Sequence, residues 1–274
     1  MQTTNLQKGT PPPEINITLE LVQNLLISQH PDLSHLPIIH LDSGWDNTLF
    51  RLGTDYILRI PRRQVAEKLL RVEQKWLPIL SKRLPIEVPT PIRIGRPNKS
   101  YPWHWSITPF FEGKAAALQY PNDSEAITLA HFLKALHQPA PKDAPVNLLR
   151  GVPLLIRAEN TNVRLQRLKE KTGCITPKIE AIWEAALAAK PYSENRWIHG
   201  DLHPRNIVVH NSKIRAVIDW GDMTSGDVAN DLACIWMLFK NPQARQKAIE
   251  VYQPSPDLVA RAKGWAVFFG AVLL

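Results

Sequence analysis

The strongest constraint on the fold is a change in sequence pattern near residue 112. Before it, short apolar runs alternate with turn-forming residues, which is typical of β-strands. After residue 125, apolar residues recur three and four positions apart, which is typical of helices. One short β-hairpin, over residues 206–210 and 214–219, interrupts the helical half. The sequence therefore predicts an α+β protein with two lobes and a cleft between them.

The amino-terminal lobe, residues 14–112, is predicted to hold a five-stranded antiparallel sheet and a helix. Strands over 36–41, 47–52 and 56–60 are separated by turns short enough for a meander. The helix over 65–81 follows, and strands near 91–95 and 104–108 complete the sheet. Thr18 is a predicted N-cap for an earlier helix that ends before Pro31. Residues 1–13, with three consecutive prolines, are predicted to be a disordered lead-in.

The carboxy-terminal lobe, residues 113–274, is predicted to be mostly helical, with the hairpin embedded in it. The predicted helices cover residues 125–137, 152–170, 177–189, 228–240, 243–251 and 256–273. A chain of 274 residues is long enough for two such lobes.

Composition excludes several classes of protein. The two cysteines exclude a disulfide scaffold or a cysteine-rich zinc module. The longest apolar stretch, 265–274, is half of the ~20 residues that span a bilayer. The net charge of +8 is spread along the chain, whereas nucleic-acid binding requires a clustered basic patch. We expect a soluble, cytoplasmic protein without a membrane or nucleic-acid partner; a basic RNA-interacting protein is the remaining alternative.

One segment has the spacing of a kinase catalytic loop. His199 and Asp201 enclose one residue, and Asn206 follows Asp201 at the fifth position. Asp219 comes later, at the end of the hairpin. A phosphoryl donor needs a divalent metal, and Mg²⁺ prefers oxygen ligands such as an amide and a carboxylate. The alternative is that Asp201 caps a turn and His199 is a buried core residue.

Residues 199–206, 218–222 and 226–233 resemble the signature run of the aminoglycoside phosphotransferase family, which is similar in fold to protein kinases. Further similar segments, 43–47, 56–63, 71–73 and 110–113, follow in the family's order, so the resemblance covers about residues 18–272. Residues 58–63 are most similar to the macrolide phosphotransferase branch. The resemblance implies a two-lobed protein-kinase-like fold and transfer of a nucleotide γ-phosphate to a small-molecule hydroxyl.

The resemblance also implies catalytic roles. Asp201 would be the catalytic base, and Asn206 and Asp219 would hold Mg²⁺. Arg59 takes the place of the kinase lysine that contacts the α- and β-phosphates, and Glu73 takes the place of its ion-pair partner. A purely structural Arg59–Glu73 salt bridge is an alternative, and Glu67 is a competing partner.

Further residues would bind the nucleotide or support the catalytic loop. The turn from Gly44 to Asn47 would cover the phosphates, although its single glycine is a weak signal. Pro109 and Phe111 would contact adenine, and Ile218 would lie beside the nucleotide. The loop-bracing residues implied by the resemblance are His199 and Asp227, the latter accepting backbone N–H bonds or capping a helix. Both ATP and GTP are open as donors.

The acceptor is predicted to be a small molecule. Gly200 replaces the arginine of the protein-kinase H-R-D motif, and too few residues separate Asp219 from Gly226 for a peptide-docking segment. Residues 150–190 hold eight Lys and Arg against four Glu, which disfavours polycationic acceptors. Besides an antibiotic phosphotransferase, a kinase of a neutral or anionic metabolite and a non-catalytic nucleotide-binding module stay open.

Overall fold

Residues 11–273 are described by the computed structural model, and they divide into two units. Unit 1 comprises the described residues up to Lys82 together with Val88–Phe111. Unit 2 comprises Arg83–Glu87 and the described residues from Glu112 onwards. Residues 1–10 of the predicted lead-in lie outside the described part of the chain. The predicted α+β class is confirmed.

Unit 1 contains the predicted five-stranded antiparallel sheet, in the order β1-β2-β3-β5-β4. Its strands are β1 Ile38–Ser43, β2 Asn47–Leu52, β3 Tyr56–Pro61, β4 Arg93–Gly95 and β5 Trp105–Pro109. Strand β1 begins later than predicted, because the N–H of Leu36 is bonded to Leu33 in the preceding turn and Pro37 has no N–H. Strand β1 extends to Ser43 through a bulge near His40.

The helices of unit 1 are α1 Leu19–Gln29 and α2 Gln64–Leu80. Thr18 caps α1 as predicted: its hydroxyl accepts the N–H of Leu21 at 3.1 Å. Helix α1 packs on the sheet through the core residues Val22, Leu25, Leu26, Phe50, Leu52, Leu58, Ile60, Tyr101, Trp105 and Ile107. Helix α2 buries an apolar face that also includes Glu73. A carboxylate in such a place needs a partner.

Unit 2 is mostly helical. Its helices are α3 Glu125–Leu136, α4 Ala158–Thr172, α5 Pro177–Ala188, α6 Ala229–Leu232, α7 Cys234–Leu238, α8 Pro242–Tyr252 and α9 Pro256–Leu273. The helix predicted from residue 152 begins at Ala158, because the backbone of Pro153 is not helical and a 3₁₀ turn follows it. The helix predicted over 228–240 is split into α6 and α7 and ends early, because Phe239 is extended. Within residues 11–273, no helix has both the length and the apolar character needed to cross a membrane.

Unit 2 also contains the strands β6 Lys114–Ala115, β7 Arg196–Ile198, β8 Ile207–His210, β9 Lys213–Val217 and β10 Thr224–Gly226. The predicted hairpin is β8–β9. Its two turn residues, Asn211 and Ser212, both have positive φ, the signature of a tight type I′ turn. Strand β6 pairs with β8, and β7 pairs with β10. These short pairings were not predicted, and β7 leads directly into the segment that carries Asp201.

Candidate active site

The loop between β7 and β8 is anchored by the buried carboxylate of Asp231. The N–H groups of His199 and Gly200 donate to the two oxygens of Asp231, at 2.6 and 3.0 Å. Asp231 is fully buried. Burial raises its pKa, but the hydrogen bonds from His137 and from the His199 N–H outweigh that effect, so the pKa lies below its usual value. Asp231 is therefore the charged anchor of the loop.

The sequence assigned this bracing role to Asp227, and the structure corrects the assignment. Asp227 instead accepts the N–H of Ala229 at 3.0 Å, the helix-capping alternative, and pairs with Nε of Arg261 at 2.7 Å. Asp227 precedes helix α6 and Asp231 lies within it. The resemblance pointed to Asp227 alone, and only the three-dimensional course of this short helix shows that Asp231 faces the loop.

His199 joins the loop to the hairpin. Its Nδ1 accepts the N–H of Asp201 at 3.2 Å, and its Nε2 donates to the carbonyl of Ile218 at 3.0 Å. The imidazole is buried and packs on Trp220, with ring centroids 4.7 Å apart. Since a carbonyl can only accept, the proton lies on Nε2. His199 thus holds both Asp201 and the residue before Asp219 in place.

The glycine that departs from the protein-kinase pattern is required by the backbone. Gly200 has a φ of +86°, which side-chain-bearing residues rarely adopt. A Cβ at this position would also lie 2.4 Å from the carbonyl oxygen of Asp222. Gly200 therefore allows the loop to pass close to the segment after Asp219.

Asp201, Asn206 and Asp219 are brought together. The amide NH₂ of Asn206 donates to the Asp201 carbonyl at 2.9 Å and to Asp201 Oδ2 at 3.4 Å. The N–H of Ile218 donates to the Asn206 carbonyl at 2.9 Å, which places Asp219 next to Asn206 across the hairpin. Asp219 has a φ of +62°, a strained conformation that is often found at functional sites.

The carboxylate of Asp201 is flanked by two cationic or polar side chains. Its Oδ1 lies 2.7 Å from Nη2 of Arg150, and its Oδ2 lies 3.3 Å from Nε2 of His203. Burial raises the pKa of Asp201, but the His203 hydrogen bond and the charge of Arg150 lower it further than burial raises it. The pKa therefore lies below its usual value, and Asp201 is ionised at neutral pH.

Sequence reasoning missed Arg150 as part of this site and counted it only as a charge in the acceptor region. Its guanidinium also bonds Asp222, through Nε and Nη2 at 3.0 Å each. Asn147 holds both Arg150 and Asp222 in place. Its Oδ1 accepts the backbone N–H of Arg150 at 3.2 Å, and its NH₂ donates to the Asp222 carboxylate at 3.0 Å. Since Arg150 precedes Asp222 by 72 positions, no local motif could have found the contact.

The oxygen atoms of Asn206 and Asp219 suit Mg²⁺. The NH₂ of Asn206 faces Asp201, which leaves its Oδ1 as the atom available for a cation. Asp219 supplies an exposed carboxylate beside it. Within the described residues, no group of three or more His, Cys, Asp or Glu is arranged to hold a metal. A pair of oxygen ligands is typical of Mg²⁺ sites that are completed by phosphates and water.

Unit 1 carries the predicted ion pair. Arg59 on β3 forms a bidentate ion pair with Glu73 on α2. Nη2 of Arg59 lies 2.9 Å from Oε1 of Glu73, and Nη1 contacts Oε2. Both residues are buried. The competing partner, Glu67, instead contacts His104 at 2.7 Å. Glu73 thus fixes the Arg59 guanidinium, and contact of Arg59 with phosphate stays a prediction.

The predicted phosphate-covering turn is partly engaged with itself. The N–H of Gly44 donates to the Asn47 carbonyl at 3.0 Å, so it is used within the turn. Arg62 donates to the Gly44 carbonyl at 2.5 Å, and Arg63 pairs with Asp46 at 2.8 Å. Arg62 and Arg63 therefore stabilise the turn. Among the described residues, none provides a hydrogen-bond partner for the buried Oδ1 of Asn47.

The predicted adenine-contacting segment follows the edge of β5. Pro109 ends that strand opposite Tyr56, and the next N–H, that of Phe110, donates to the Asp55 carbonyl at 2.7 Å. The Phe110 ring lies under the Arg51 guanidinium, 3.1 Å from its centroid. Pro109 and Phe111, the residues on either side of Phe110 in the chain, are both half-buried. Their contact with a base stays a prediction.

Comparison with known proteins identifies the family. A sequence model of the phosphotransferase enzyme family, APH, matches residues 38–265. The chain belongs to this family. This confirms the resemblance drawn from the motifs. An aminoglycoside 3′-phosphotransferase from Salmonella typhimurium is 27% identical over 167 residues, covering 56% of this chain. The match spans only 60% of that relative's length.

Solved structures of the APH type share the fold. The GDP complex of aminoglycoside 2′-phosphotransferase-IIIa is 19% identical, with a TM-score of 0.65 and coverage of 92% of this chain and 88% of that one. A macrolide 2′-phosphotransferase from Brachybacterium faecium is 22% identical, with a TM-score of 0.63 and coverage of 93% and 90%. The predicted kinase-like fold is confirmed, and the similarity extends equally to aminoglycoside and macrolide enzymes.

Proposed function

We propose that this phosphotransferase-family chain transfers the γ-phosphate of ATP or GTP to a hydroxyl group of a small molecule, with Mg²⁺ as cofactor. The observation that carries the proposal is the convergence of Asp201, Asn206 and Asp219 in one loop–hairpin unit. Similar folds have been solved with GDP, with ADP, and with ATP and streptomycin together, which supports a nucleotide donor. A cytoplasmic location stays a prediction from the sequence.

Asp201 would act on the acceptor. Its ionised carboxylate accepts the hydroxyl proton as the acceptor oxygen bonds to the γ-phosphorus, and the bond from that phosphorus to the β-phosphate oxygen breaks. The products are a phosphomonoester and a nucleoside diphosphate. Because the transition state of phosphoryl transfer is loose, late proton transfer to a weak base suffices. A carboxylate whose pKa lies below its usual value suits this role.

Mg²⁺ would be held by Oδ1 of Asn206 and the carboxylate of Asp219, and when bound it neutralises the charge of the phosphate oxygens. The chain's own contribution is the geometry of these ligands. Ile218 forms a backbone hydrogen bond with Asn206 at 2.9 Å and accepts one from His199 at 3.0 Å. These bonds fix Asn206 and Asp219 relative to each other before metal or nucleotide binds. Such preorganisation is the main source of acceleration in phosphoryl transfer.

Residues of unit 1 would bind the donor. The guanidinium of Arg59, held by Glu73, would contact the α- and β-phosphates, and arginine in place of lysine offers a planar fork for them. Gly44 and Asn47 would lie over the phosphates, Pro109 and Phe111 would contact the base, and Ile218 of unit 2 would lie beside the nucleotide.

The test is a panel of antibiotics and metabolites with ATP and with GTP, read as acceptor-dependent nucleotide consumption. We expect Asp201→Asn to bind nucleotide, seen as thermal stabilisation, but to lose transfer. Nucleotide binding without transfer to any acceptor would favour a non-catalytic module. Salt-sensitive RNA binding that Asp201→Asn leaves unchanged would favour an RNA-interacting protein. Full turnover by Asp201→Asn would overturn the assignment of the base.

A further inference from the structure

A line of arginine and phenylalanine side chains extends from Asp201 along helix α9. The Arg150 guanidinium, which bonds Asp201, lies 5.6 Å from the Phe269 ring centroid. The Phe269 and Phe268 rings are 5.5 Å apart. The Arg157 guanidinium lies 5.0 Å from the Phe268 centroid. We name these four side chains, Arg150, Phe269, Phe268 and Arg157, the Arg–Phe line.

The two ends of the Arg–Phe line differ in how their charge is balanced. Arg150 is neutralised by Asp201 and Asp222. For Arg157, no carboxylate in the described part of the chain lies within ion-pair distance, and its buried Nε has no hydrogen-bond partner. Burial and the positive charges of Arg150 and Arg164 lower the pKa of Arg157. Arg157 therefore lies in a positive field that the chain itself does not offset.

A half-buried guanidinium with an unused donor is unfavourable until an anion binds it. Burying a charge without a partner is costly, and Arg binds carboxylates and phosphates through two parallel hydrogen bonds. The Arg157 guanidinium lies against the Phe268 ring, and none of the described residues offers its Nε a hydrogen-bond acceptor. An oxyanion on a ligand bound beside Asp201 would supply the counter-charge that the half-buried Arg157 guanidinium lacks.

The sequence before each arginine of the Arg–Phe line adds an apolar surface. Leu148 and Leu149 precede Arg150 and are 81% and 56% exposed. Leu155 and Ile156 precede Arg157 and are 69% and 63% exposed. Neighbouring large apolar side chains with this exposure mark a binding surface more often than isolated ones do. They suit the hydrocarbon part of a ligand.

We propose that the acceptor is an alcohol with an apolar body and an anionic group, a carboxylate or a phosphate, that binds Arg157 while its hydroxyl lies at Asp201. This inference rests on the proposed phosphotransferase activity and names its substrate class. It excludes polycations as preferred acceptors, because Arg157 and Arg164 would repel them.

The test uses matched alcohols that differ only in the group distal to the hydroxyl: ω-hydroxyalkanoates of graded length, their methyl esters, the ω-amino alcohols, and alkanediol monophosphates. Nucleotide consumption gives kcat and KM for each. We expect at least about tenfold higher kcat/KM for an anionic member than for its ester, and amines as the poorest acceptors. The carboxylate and phosphate arms decide which oxyanion is preferred.

The variant Arg157→Gln should lower kcat/KM for the anionic member about ten- to a hundredfold through KM, the loss expected for a charge-assisted hydrogen bond, and leave the ester unchanged. Arg167→Gln is the matched control, because Arg167 is an exposed arginine on α4. It should leave every acceptor unchanged. An effect of Arg157→Gln confined to KM separates anion binding from a general loss of structure.

Preference for the ester or the amine, or equal kcat/KM for the anionic member in wild type and Arg157→Gln, would overturn the inference. Transfer to neutral alcohols that Asp201→Asn abolishes would then leave the phosphotransferase assignment standing. If no member is phosphorylated, thermal stabilisation of Asp201→Asn by the ω-hydroxyalkanoates decides. The inference is supported if the ω-hydroxyalkanoates stabilise Asp201→Asn and the added Arg157→Gln substitution removes this stabilisation. It is overturned if the stabilisation persists with Arg157→Gln, or if there is none.

Discussion

Replacing Asp231 by asparagine should loosen the loop between β7 and β8, which carries Asp201, while preserving the shape of the side chain. In the wild type, one carboxylate accepts the N–H groups of His199 and Gly200 at 2.6 and 3.0 Å. An asparagine has a single acceptor oxygen, so one of these N–H groups would face an amide NH₂ instead. Since Asp231 is fully buried, water cannot replace the lost acceptor.

The expected loss follows from these contacts. A hydrogen bond to a charged group contributes about 1.5–3 kcal/mol, and a buried N–H left without a partner costs about 1–3 kcal/mol. The opening of the loop should therefore become about 3–5 kcal/mol easier. That is a large fraction of the roughly 5–15 kcal/mol that stabilises a typical protein.

Native-state hydrogen exchange of residues 197–206 measures this free energy directly. The protection of the His199 and Gly200 amides should fall about a hundredfold or more in Asp231→Asn. The control is Asp257→Asn, because Asp257 is exposed and accepts the N–H of Lys190 at 3.2 Å. It should change protection of the loop little. Loop amides protected in Asp231→Asn to within about 1 kcal/mol of wild type would refute the reasoning.

Three further predictions concern neighbouring residues. Gly200→Ala should abolish turnover with the fold retained, since its φ is +86° and a Cβ would clash with Asp222; near-wild-type kcat would contradict this. Arg150→Met should raise the pKa of Asp201, because it removes a positive charge that lowers this pKa. Activity falls at acidic pH as the base is protonated, so the acidic limb of the pH profile of kcat/KM should move to higher pH. An acidic limb that stays in place would contradict this. Glu73→Gln should raise KM for the nucleotide by about tenfold or more, as it releases the buried Arg59; an unchanged KM measured by nucleotide titration would refute that role.

Sequence patterns could predict the parts of the site that are close together in the chain. Asp201 and Asn206 share one loop, and Asp219 lies at the end of the hairpin that starts directly after Asn206. Once the hairpin is recognised, its two-stranded geometry brings these residues together. The same holds for Arg59 and Glu73, because a strand followed by an amphipathic helix places them on facing surfaces.

Other parts of the site depend on tertiary packing. Asp227 and Asp231 lie in one short motif, and the choice between them follows from tertiary contacts: Asp227 is engaged by Ala229 and Arg261, whereas Asp231 faces the loop. Arg150 reaches Asp201 because Asn147 and Asp222 fix a loop that has no periodic pattern. Its sequence shows only a positive charge, so neither its partners nor the Arg–Phe line could be predicted.

The central claim, that Asn206 and Asp219 hold the metal beside Asp201, can be tested with Mn²⁺ as a paramagnetic substitute for Mg²⁺. Electron paramagnetic resonance measures free and bound Mn²⁺ during titration of the protein with a non-hydrolysable nucleotide. We expect Asn206→Ala and Asp219→Ala each to weaken nucleotide-dependent Mn²⁺ binding by about tenfold or more, while Asp257→Ala binds like wild type. Unchanged Mn²⁺ affinity in both ligand variants would contradict the account.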